Sequence, residues 1–577
     1  MRTTKRENKS GTVRYLHLAH NEWDAAKGRA VPKVLFTFGR EDELDRDAVR
    51  RLVASLSRLL EPGEALAANA APGLEFTGSV PFGGAYVLDH LWHRLKIDKI
   101  VSGIGRPKRG RPRDMSVTER VLFALVANRA LAPSSKLAAA EWITHDVHID
   151  SLPEVGEQSC YRAMDWLHEV RDDLEKQVFD EVAHLLNLEV DLLFFDTTST
   201  YFELEEPDEP VARDRRGHRL DDTGDGEDDN EHSGRDAAKP AGFRTHGKSK
   251  DSRDDLPQIV IGMAVTRDGI PVRVWSWPGN ASDQSLIRQV KDDMRDWTLS
   301  KIVWVADRGF SSDRNRRYLR SGTDAYIIGE KLRTTSPEVK QALSRQGRYQ
   351  DITGNMRVKE VRISDTERFV ICHNPEAAAR DRHMREQLVA RLTELIADTD
   401  KLSDFKRGEL RGKIADKPGL NRYLRTTPAG KLRIDQARIK AEENLDGKYL
   451  LRCSDPKLSA EDIARGYKAL LEVERGWRDM KQVIDLRPVY HRLEERIRAH
   501  VLLCWLALLL IRIAETTTGD TWPRIRRELD RLHLGTFTGP TGTFQQVTTP
   551  TKPQQDLLAK LGIPAPAQIA GLQPAPH

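Results

Sequence analysis

Apolar residues run unbroken through residues 192–195 and stop at Asp196, which four hydroxyl-bearing residues follow. A short continuous apolar run with aromatic residues is typical of a strand that is buried on both faces. The pattern therefore predicts that Asp196 lies at the C-terminal end of a central strand, the edge at which open α/β sheets place their chemistry. The alternative interpretation is a helix cap, because Asp and Thr also begin helices well.

The same pattern recurs further along the chain, where residues 301–306, apolar from Ile302 onward, end at Asp307. Between the two runs, a tight-turn signal at Asp268-Gly269 predicts a β-hairpin. The hairpin, a helix and a further strand are predicted at residues 258–277, 286–294 and 325–329. This order of elements is the one expected of a ribonuclease-H-like fold, a mixed α/β sheet flanked by helices.

The remaining segments predict smaller modules around this core. Near the N-terminus, Gly28 indicates a turn between strands at residues 12–19 and 31–38, and Asp45 caps a helix. The C-terminal segment is rich in Pro, Thr and Gln, with one short helix near Leu557. The predicted divisions are an α+β module at 1–104, a basic linker and helical DNA-binding region at 105–188, the catalytic core at 189–335 and 446–515, an insertion domain at 336–445, and a tail at 516–577.

The most basic segment of the chain is residues 105–113. Within it, Arg109 and Arg111 stand in a Gly- and Pro-containing context that resembles an AT-hook core, whose Arg side chains lie in a narrow A·T minor groove. The alternative is a flexible linker kept soluble by its charge. Either arrangement can contact DNA phosphates.

A helical region follows this segment, at residues 116–188. Several helices with short turns could hold a helix-turn-helix, for which Asn128, Arg129 and Lys136 are polar candidates. The alternative is an ordinary helical bundle, since no pattern singles out a recognition helix.

A charged stretch interrupts the core at residues 203–256, acidic in its first part and basic towards its end. Such a composition does not bury a core, so we expect a mobile insertion. A solvated loop explains its acidic residues better than a metal site does.

Composition narrows the class of protein but does not identify its binding partner. The 577 residues are 39% hydrophobic and 31% charged, and the net charge of only +4 creates no dominant field. Four scattered cysteines suit a reducing compartment. The apolar residues 501–511 are too few to span a bilayer and predict a buried helix. With no signal peptide in its basic first residues, the chain is expected to be cytoplasmic, with no membrane partner.

A third carboxylate comes from a predicted helix. Ser459 and Asp462 fit a capping box at its start, and the helix is expected to continue through Lys481. Tyr467, Glu474 and Lys481 are spaced by seven residues, slightly less than two helical turns, so they share one face. An ordinary solvated face is the alternative for this stripe.

Asp196, Asp307 and Glu474 together form a set that suits one kind of chemistry. Breaking and joining phosphodiesters benefits from two divalent cations roughly 4 Å apart. Mg²⁺ prefers hard oxygen ligands and keeps several waters, so three carboxylates and the substrate phosphate suffice. The set therefore predicts a site for two Mg²⁺ ions, for which Mn²⁺ can substitute.

This set resembles the DDE transposases of bacterial insertion sequences, in particular the group with a Tyr-x2-Arg-x3-Glu-x6-Lys signature. The match covers about residues 115–515 and departs from the signature at Leu470, where the pattern has Arg; Arg475 or Arg478 could supply that phosphate contact. Flanking motifs also look familial, among them Gly247-Lys-Ser-Lys-Asp, Gly279-Asn280-x2-Asp283 and Asp307-Arg-Gly.

The resemblance implies a transposase that binds the terminal inverted repeats of its element and catalyses metal-dependent strand cleavage and strand transfer. It implies double-stranded DNA as partner, a homodimer in the synaptic complex, a nucleoid-associated location and a β-rich insertion at residues 336–445. The expected catalytic and metal-binding residues are Asp196, Asp307 and Glu474. The expected DNA contacts are Tyr467, Lys481, Arg478, Arg308, Arg109 and Arg111.

Two alternatives stay open at this point. A ribonuclease-H-like nuclease would cut without joining, and no residue separates it from a transposase. A catalytically silent repressor derived from a transposase belongs to another class, and the three intact carboxylates argue against it.

Overall fold

The computed structural model describes residues 2–8, 11–24, 27–57, 74–105, 115–185, 192–214, 217–220, 238–295, 297, 301–333, 336–352, 355–364, 366–540 and 542–574. The chain forms two compact units. One comprises Met1–Gly78, Gly535–Gln546 and Ile569–His577, and the other comprises Ser79–Leu534 and Val547–Gln568.

Strands and helices are numbered here in chain order within the described residues. The strands are β1 Arg2–Asn8, β2 Gly11–Asp24, β3 Arg29–Arg40, β4 Glu75–Pro81, β5 Leu192–Tyr201, β6 Val211–Arg213, β7 Ala238–Ala241, β8 Gln258–Val265, β9 Pro271–Pro278, β10 Val303–Ala306, β11 Ala325–Glu330, β12 Gln350–Ile352, β13 Met356–Arg362, β14 Arg368–His373, β15 Leu424–Thr426, β16 Leu432–Ile434, β17 Lys448–Cys453, β18 His533–Gly539, β19 Gly542–Val547 and β20 Ile569–Pro574.

The helices are α1 Arg46–Ser57, α2 Gly83–Arg94, α3 Ile97–Ile104, α4 Ser116–Leu131, α5 Lys136–His145, α6 Glu157–Glu169, α7 Arg171–Leu185, α8 Asp283–Asp293, α9 Asp313–Leu319, α10 Pro337–Ser344, α11 Pro375–Ile396, α12 Asp404–Ala415, α13 Pro418–Asn421, α14 Gln436–Glu443, α15 Ala460–Lys468, α16 Leu471–Gln482, α17 Glu494–Thr518, α18 Trp522–Leu529 and α19 Lys552–Leu561.

The first unit contains an antiparallel sheet in the order β1-β2-β3. The predicted turn between β2 and β3 is confirmed, with Gly28 at φ +61°, a conformation that suits glycine. The predicted helix start is also confirmed, because Asp45 Oδ1 accepts the backbone N–H groups of Asp47 and Ala48, each at 2.9 Å. Strand β1, which the pattern did not predict, extends the sheet.

A nine-stranded sheet forms the centre of the second unit, in the order β12-β13-β14-β17-β11-β10-β5-β8-β9. Strand β5 runs parallel to β10, and β10 runs parallel to β11. The β8–β9 hairpin is antiparallel to β5 on the other side, as its turn signal predicts. The predicted mixed sheet flanked by helices is therefore present.

Helices cover both faces of this sheet because side chains on successive strand positions point to opposite sides. On one face, Phe195 and Trp304 pack with apolar residues of α8 and α9. On the other face, Phe194 and Val305 pack with residues of α15, α16 and α17. Helix α16 contacts β5 and β8 directly.

Helix α17 confirms the predicted buried helix but is longer than the apolar run that indicated it. In length and composition it could cross a membrane, yet its apolar window lies entirely inside the protein. It packs against α4, α6 and β9. Arg498 and Arg512 are buried on it and are paired with Glu494 and Glu515, which suits a core helix.

The helical region corrects one interpretation of the sequence. Helix α4 is buried on nearly every side, and Asn128, Arg129 and Lys136 are only 0%, 2% and 2% exposed. Their interpretation as DNA-recognition candidates is wrong, because a side chain inside a helical core does not reach a groove. Asn128 instead stabilises the turn after α4, where its Nδ2 donates to the carbonyl of Ala132 at 2.7 Å.

The described flanks of the charged stretch are packed, which differs from the solvated loop that composition predicts. Arg213 is buried and its Nη2 lies 2.9 Å from Glu494 Oε2. The carboxylate of Asp208 accepts hydrogen bonds from the guanidinium and the backbone N–H of Arg244. Phe243 is buried beside these groups. Paired charges stabilise these flanks where apolar area is scarce; residues 221–237 lie outside the described part of the chain.

The segment between β11 and β17 has two parts. Strands β12, β13 and β14 continue the central sheet by pairing through β17. Helices α11 to α14 and the β15–β16 hairpin surround a separate apolar cluster that includes Leu392, Ile414 and Leu432. Near the C-terminus, the predicted helix near Leu557 is confirmed as α19. The segment also forms α18, β18, β19 and β20, which the pattern did not predict, because short elements supported by distant contacts leave little local signal.

Candidate active site

Asp196 and Asp307 lie side by side because of the register of two parallel strands. Strand β10 pairs with β5 so that Ala306 is opposite Phe195, and one residue further the same register places Asp307 beside Asp196. The prediction that β5 ends at Asp196 is wrong, since β5 continues to Tyr201 through its pairing with β8. The hydroxyl-rich residues extend the strand because Thr and Ser still pair well on a pleated surface.

Both carboxylates belong to one face of the sheet. Phe194 and Val305, two positions before each of them, lie in the apolar cluster beneath α15 and α16. Since side chains two positions apart share a face, Asp196 and Asp307 continue that face where β10 ends. We call these two residues the strand pair.

The strand pair is crowded with like charge. The pKa of Asp196 is raised to about 6: burial is the largest cause, the Lys250 ammonium and the backbone N–H of Thr197 oppose it, and the carboxylates of Asp283 and Asp307 add to it. Burial is the largest cause of this shift, and a cation bound beside Asp196 would relieve the smaller part that comes from charge repulsion.

Tyr467 of α15 is joined to the strand pair. Its hydroxyl donates to Asp307 Oδ1 at 2.9 Å, and its ring stacks on Tyr449 with 6.0 Å between ring centroids. A Cβ added to Gly329 on β11 would lie 2.3 Å from the Tyr467 hydroxyl. Glycine at that position therefore leaves the room in which Tyr467 reaches Asp307. The contact lies within the protein, so it differs from the predicted contact with DNA.

The predicted continuous helix from Ser459 to Lys481 is interrupted. The capping box at Ser459 is present, but α15 ends at Lys468 and α16 begins at Leu471. Between them the bonding changes to i→i+3, as from Glu472 N–H to the Ala469 carbonyl at 2.9 Å. The break disturbs the seven-residue phase on which the single stripe was based.

Glu474 follows this break and is exposed on the first turn of α16. The other side of α16 packs Val473, Trp477 and Met480 on the sheet face that carries the strand pair. Within the described residues, no three acidic, His or Cys side chains are close enough together to hold one metal ion. The structure thus brings Asp196 and Asp307 together and leaves Glu474 apart from them.

Lys481, at the end of α16, lies in a cluster of charges rather than alone. Its Nζ is 2.9 and 3.1 Å from the two carboxylate oxygens of Asp251, and Arg487 Nη1 is 3.0 Å from the same carboxylate. Burial lowers the pKa of Lys481, Asp251 opposes that shift, and the positive charges of Arg487 and Lys250 add to it. The cluster therefore adjoins Lys250 and, through it, the strand pair.

The other residues that are predicted to contact DNA differ in their exposure to solvent. Arg308 and Arg478 are exposed, while Arg109 and Arg111 lie outside the described residues. Leu470, at the position where the signature has Arg, is buried. Of the two residues that could replace it, Arg475 is paired with Glu515 and Glu472, whereas Arg478 is exposed to solvent.

The sequence analysis gave no role to Lys250, Asp251 and Asp283, which the structure brings to the site. Asp283 accepts the Thr197 hydroxyl at 2.7 Å and lies 3.2 Å from Lys250 Nζ, and Asp251 joins Lys481 to Arg487. Their only signal was membership of the two flanking motifs that look familial. Nothing in their spacing indicates that they meet, because Thr197, Lys250 and Asp283 lie on three separate segments: β5, the turn before β8 and the start of α8.

Comparison with known proteins indicates the class of protein to which this chain is similar. Residues 242–510 match the model of the transposase DDE domain, which covers the segment that carries Asp307, Glu474 and Lys481. No curated protein matches the chain. Among solved structures, a piggyBac transposase synaptic complex with hairpin DNA matches with 10% identity and a TM-score of 0.32, over 77% of this chain and 78% of that chain.

The second family match is narrower. Residues 1–67 match the N-terminal domain of the IS1634 family transposases. Together the two family models support an insertion-sequence DDE transposase. The subgroup with the Tyr-Arg-Glu-Lys signature stays a prediction.

Proposed function

We propose that this transposase binds the terminal inverted repeats of its element, cleaves the DNA strand at each end and joins the freed 3′-hydroxyl to target DNA. The observation that carries this proposal is the strand pair, in which register places two carboxylates side by side on one face of a rigid sheet. Carboxylates on rigid elements are the arrangement that metal-dependent phosphodiester chemistry needs.

We further infer that the catalytic core is ribonuclease-H-like. The strand order β9-β8-β5-β10-β11 supports this, with an antiparallel hairpin on one side of β5 and two parallel strands on the other. Helices on both faces also fit that architecture. In open sheets with parallel strands, chemistry is found at the carboxyl edge, where the strand pair lies.

The cofactor proposed is Mg²⁺, with Mn²⁺ as a substitute. The donor set fits, because carboxylate oxygens are hard ligands and Asp196 is surrounded by acids whose repulsion a cation relieves. When bound, two such ions would activate the attacking oxygen and stabilise the leaving oxygen. Asp196 and Asp307 would hold them, and Glu474, on a helix that packs over the same sheet face, would complete the set once DNA is bound.

The remaining residues have proposed roles of their own. Tyr467 holds the carboxylate of Asp307 in one orientation through its hydroxyl. Lys481 contacts the DNA backbone beside the scissile phosphate, where a positive charge fixes the strand without reading its sequence. Exposed Arg478 and Arg308 extend this contact, and Arg109 and Arg111 bind DNA further from the reacting bond.

Two subunits would act together, because the two ends of an element must be held at once, so a homodimer in the synaptic complex is proposed. A protein with this role works on the bacterial nucleoid in the cytoplasm. Both statements rest on the proposed reaction.

The test is a reaction with the DNA that flanks the coding region of the element. A labelled fragment from each flank is incubated with the protein, Mg²⁺ and a supercoiled target plasmid. The proposal expects a nick or break at the end of an inverted repeat and a joined product in the target. Cleavage without joined product would favour the nuclease, and binding without cleavage would favour the repressor.

A further inference from the structure

The turn at residues 247–254 carries one of the familial motifs, and no part of the proposed reaction uses it. Its own hydrogen bonds make it rigid. Ser249 Oγ accepts the backbone N–H groups of Asp251 and Arg253, each at 3.1 Å, and Ser249 N–H donates to Asp254 Oδ1 at 2.7 Å. A turn bonded in this way holds the side chains on it in fixed directions.

The turn is also anchored to the sheet. A Cβ on Gly247 would lie 2.0 Å from the Gly279 carbonyl oxygen, so the two backbones are in close contact and Gly247 cannot be enlarged. The Lys250 backbone N–H donates to Ser199 Oγ on β5 at 2.8 Å. Ser199 is three residues after Asp196, so the turn is fixed to the strand that carries the strand pair.

Lys250 points towards the acids. Its ammonium donates to the Thr197 carbonyl at 2.6 Å and to the Thr197 hydroxyl, and it forms an ion pair with Asp283 Oδ2 at 3.2 Å. Lys250 therefore holds Asp283 and β5 together beside Asp196.

Asp251, the next residue, points towards the cations. It binds Lys481 through both carboxylate oxygens and Arg487 through one, and its own side chain is 18% exposed against 13% for Lys481. Arg487 also lies over the Tyr201 ring, 4.8 Å from its centroid. Two cations share one carboxylate, so the cluster keeps a net positive charge.

We propose that the Lys250-Asp251 pair is a positioning element: Asp251 holds Lys481 and Arg487 at the place where a DNA backbone phosphate binds, and Lys250 fixes that place relative to the strand pair. The inference rests on the proposed function and adds residues that no signature assigns. Asp251 is a positioning residue because it acts through Lys481 and Arg487.

The physical need for such an element follows from the chemistry of lysine. A lysine side chain has four rotatable bonds and loses rotamer entropy when it is held in one place. A carboxylate that already holds it removes that loss from the binding step, which is the general benefit of preorganisation. Lysine and arginine each keep donors beyond those that Asp251 uses, so the phosphate needs no displacement of Asp251.

A double-mutant cycle tests the coupling. Single-turnover cleavage of a labelled element end is measured for wild type, Asp251→Asn, Lys481→Met and the double variant. Displacement of reacting groups by about 1 Å can cost on the order of a hundredfold in rate, so Asp251→Asn should slow cleavage by roughly tenfold to a hundredfold. Because Asp251 acts partly through Lys481, the double variant should be slowed by less than the product of the two single effects, and any loss beyond that of Lys481→Met reports the part that acts through Arg487. Effects that multiply, or unchanged cleavage in Asp251→Asn, would overturn the proposal.

The chain offers a matched control directly after the same turn. Asp255 is exposed and pairs only with Arg253 among the contacts described for its side chain, so Asp255→Asn should cleave at the wild-type rate. Asp251→Glu keeps the charge and should recover most of the rate. Melting temperatures of all variants separate a folding defect from a positioning defect, and a rate loss that Asp251→Glu does not restore would count against positioning.

A second readout needs no activity. Asp251 opposes the lowering of the Lys481 pKa, so Asp251→Asn should make the amine more often neutral and more reactive. Acylation of Lys481 by an amine-specific reagent, followed by mass spectrometry, should be several-fold faster in Asp251→Asn than in Asp255→Asn. If wild type does not cleave, the proposed function fails and this measurement still decides whether Asp251 holds Lys481; equal reactivity in the two variants would show that it does not.

Discussion

The strand pair and the helix-borne residues of the site are positioned by different means. Asp196 and Asp307 are fixed by strand register, which a one-residue slip would destroy along the whole strand. Glu474 and Lys481 depend on the phase of a helix that is interrupted between α15 and α16. Tyr467 precedes the break and reaches Asp307, while Glu474 follows it and is exposed. Strand register thus positions Asp196 and Asp307 before DNA binds, whereas the helix-borne residues are positioned by individual contacts.

The largest effect is expected from the strand pair itself. Asp196→Asn or Asp307→Asn should reduce cleavage by about a thousandfold or more, because a catalytic metal contributes several kcal/mol and tenfold in rate corresponds to roughly 1.4 kcal/mol. Single-turnover cleavage measures this loss. Asp313→Asn, an exposed acid on α9 that is paired with Arg317, is the matched control and should cleave normally. Cleavage near the wild-type rate in either strand-pair variant would remove that residue from the site.

Substitution of Glu474 tests the comparison between strand and helix residues, because it should impair cleavage without impairing metal binding. Glu474→Gln should abolish most cleavage but leave divalent-ion binding by the DNA-free protein close to that of wild type, since Glu474 lies apart from the strand pair. Calorimetric titration with Mn²⁺ gives the affinity, and Glu461→Gln on α15 serves as control. An equal loss of affinity in Glu474→Gln and Asp307→Asn would mean that Glu474 is already a ligand without DNA.

Tyr467 should show an intermediate effect. A hydrogen bond to a charged group contributes about 1.5–3 kcal/mol, so Tyr467→Phe should slow cleavage by roughly tenfold to a hundredfold. Gly329→Ala should reproduce this defect, because its methyl group would lie 2.3 Å from the Tyr467 hydroxyl and force it away from Asp307. Both variants are compared at saturating DNA, where a pure loss of DNA contact would not appear. A Tyr467→Phe defect that disappears at saturating DNA would assign Tyr467 to DNA binding instead.

The smallest effect concerns pH. The pKa of Asp196 is raised to about 6 in the folded protein, above roughly 3.9 in the unfolded chain, so the folded state holds this proton more tightly. Stability of the metal-free protein should therefore rise as pH falls through about 6 towards 4, and the stabilisation by Mg²⁺ should fade over the same window. Melting curves with and without Mg²⁺ measure both, and Asp196→Asn should lose this part of the pH dependence. A Mg²⁺ effect that persists unchanged below pH 5, on the order of one unit under that pKa, would contradict this assignment.

Much of the fold could be predicted because strong local patterns indicate it. The apolar runs before Asp196 and Asp307, the Asp268-Gly269 turn and the capping box at Ser459 each specify their element within a few residues. These features need no knowledge of distant contacts, which is why the sequence predicts them well.

What could not be predicted depends on contacts between distant residues. The burial of Arg129 and Lys136 follows from how α4 and α17 pack, and amphipathic pattern alone does not reveal it. The contacts of Lys250 with Asp283, and of Asp251 with Lys481, join residues more than thirty positions apart that no local pattern relates. Helix phase was extrapolated across Ala469 and Leu470, where the bonding changes.

The most direct test of the central account is the binding of Mn²⁺ to the DNA-free protein, followed by electron paramagnetic resonance. Wild type and Asp313→Asn should bind the ion equally, while Asp196→Asn and Asp307→Asn should each weaken binding by at least about tenfold, since each removes one charged oxygen ligand. Binding unchanged in either strand-pair variant would contradict the claim that strand register builds the metal site.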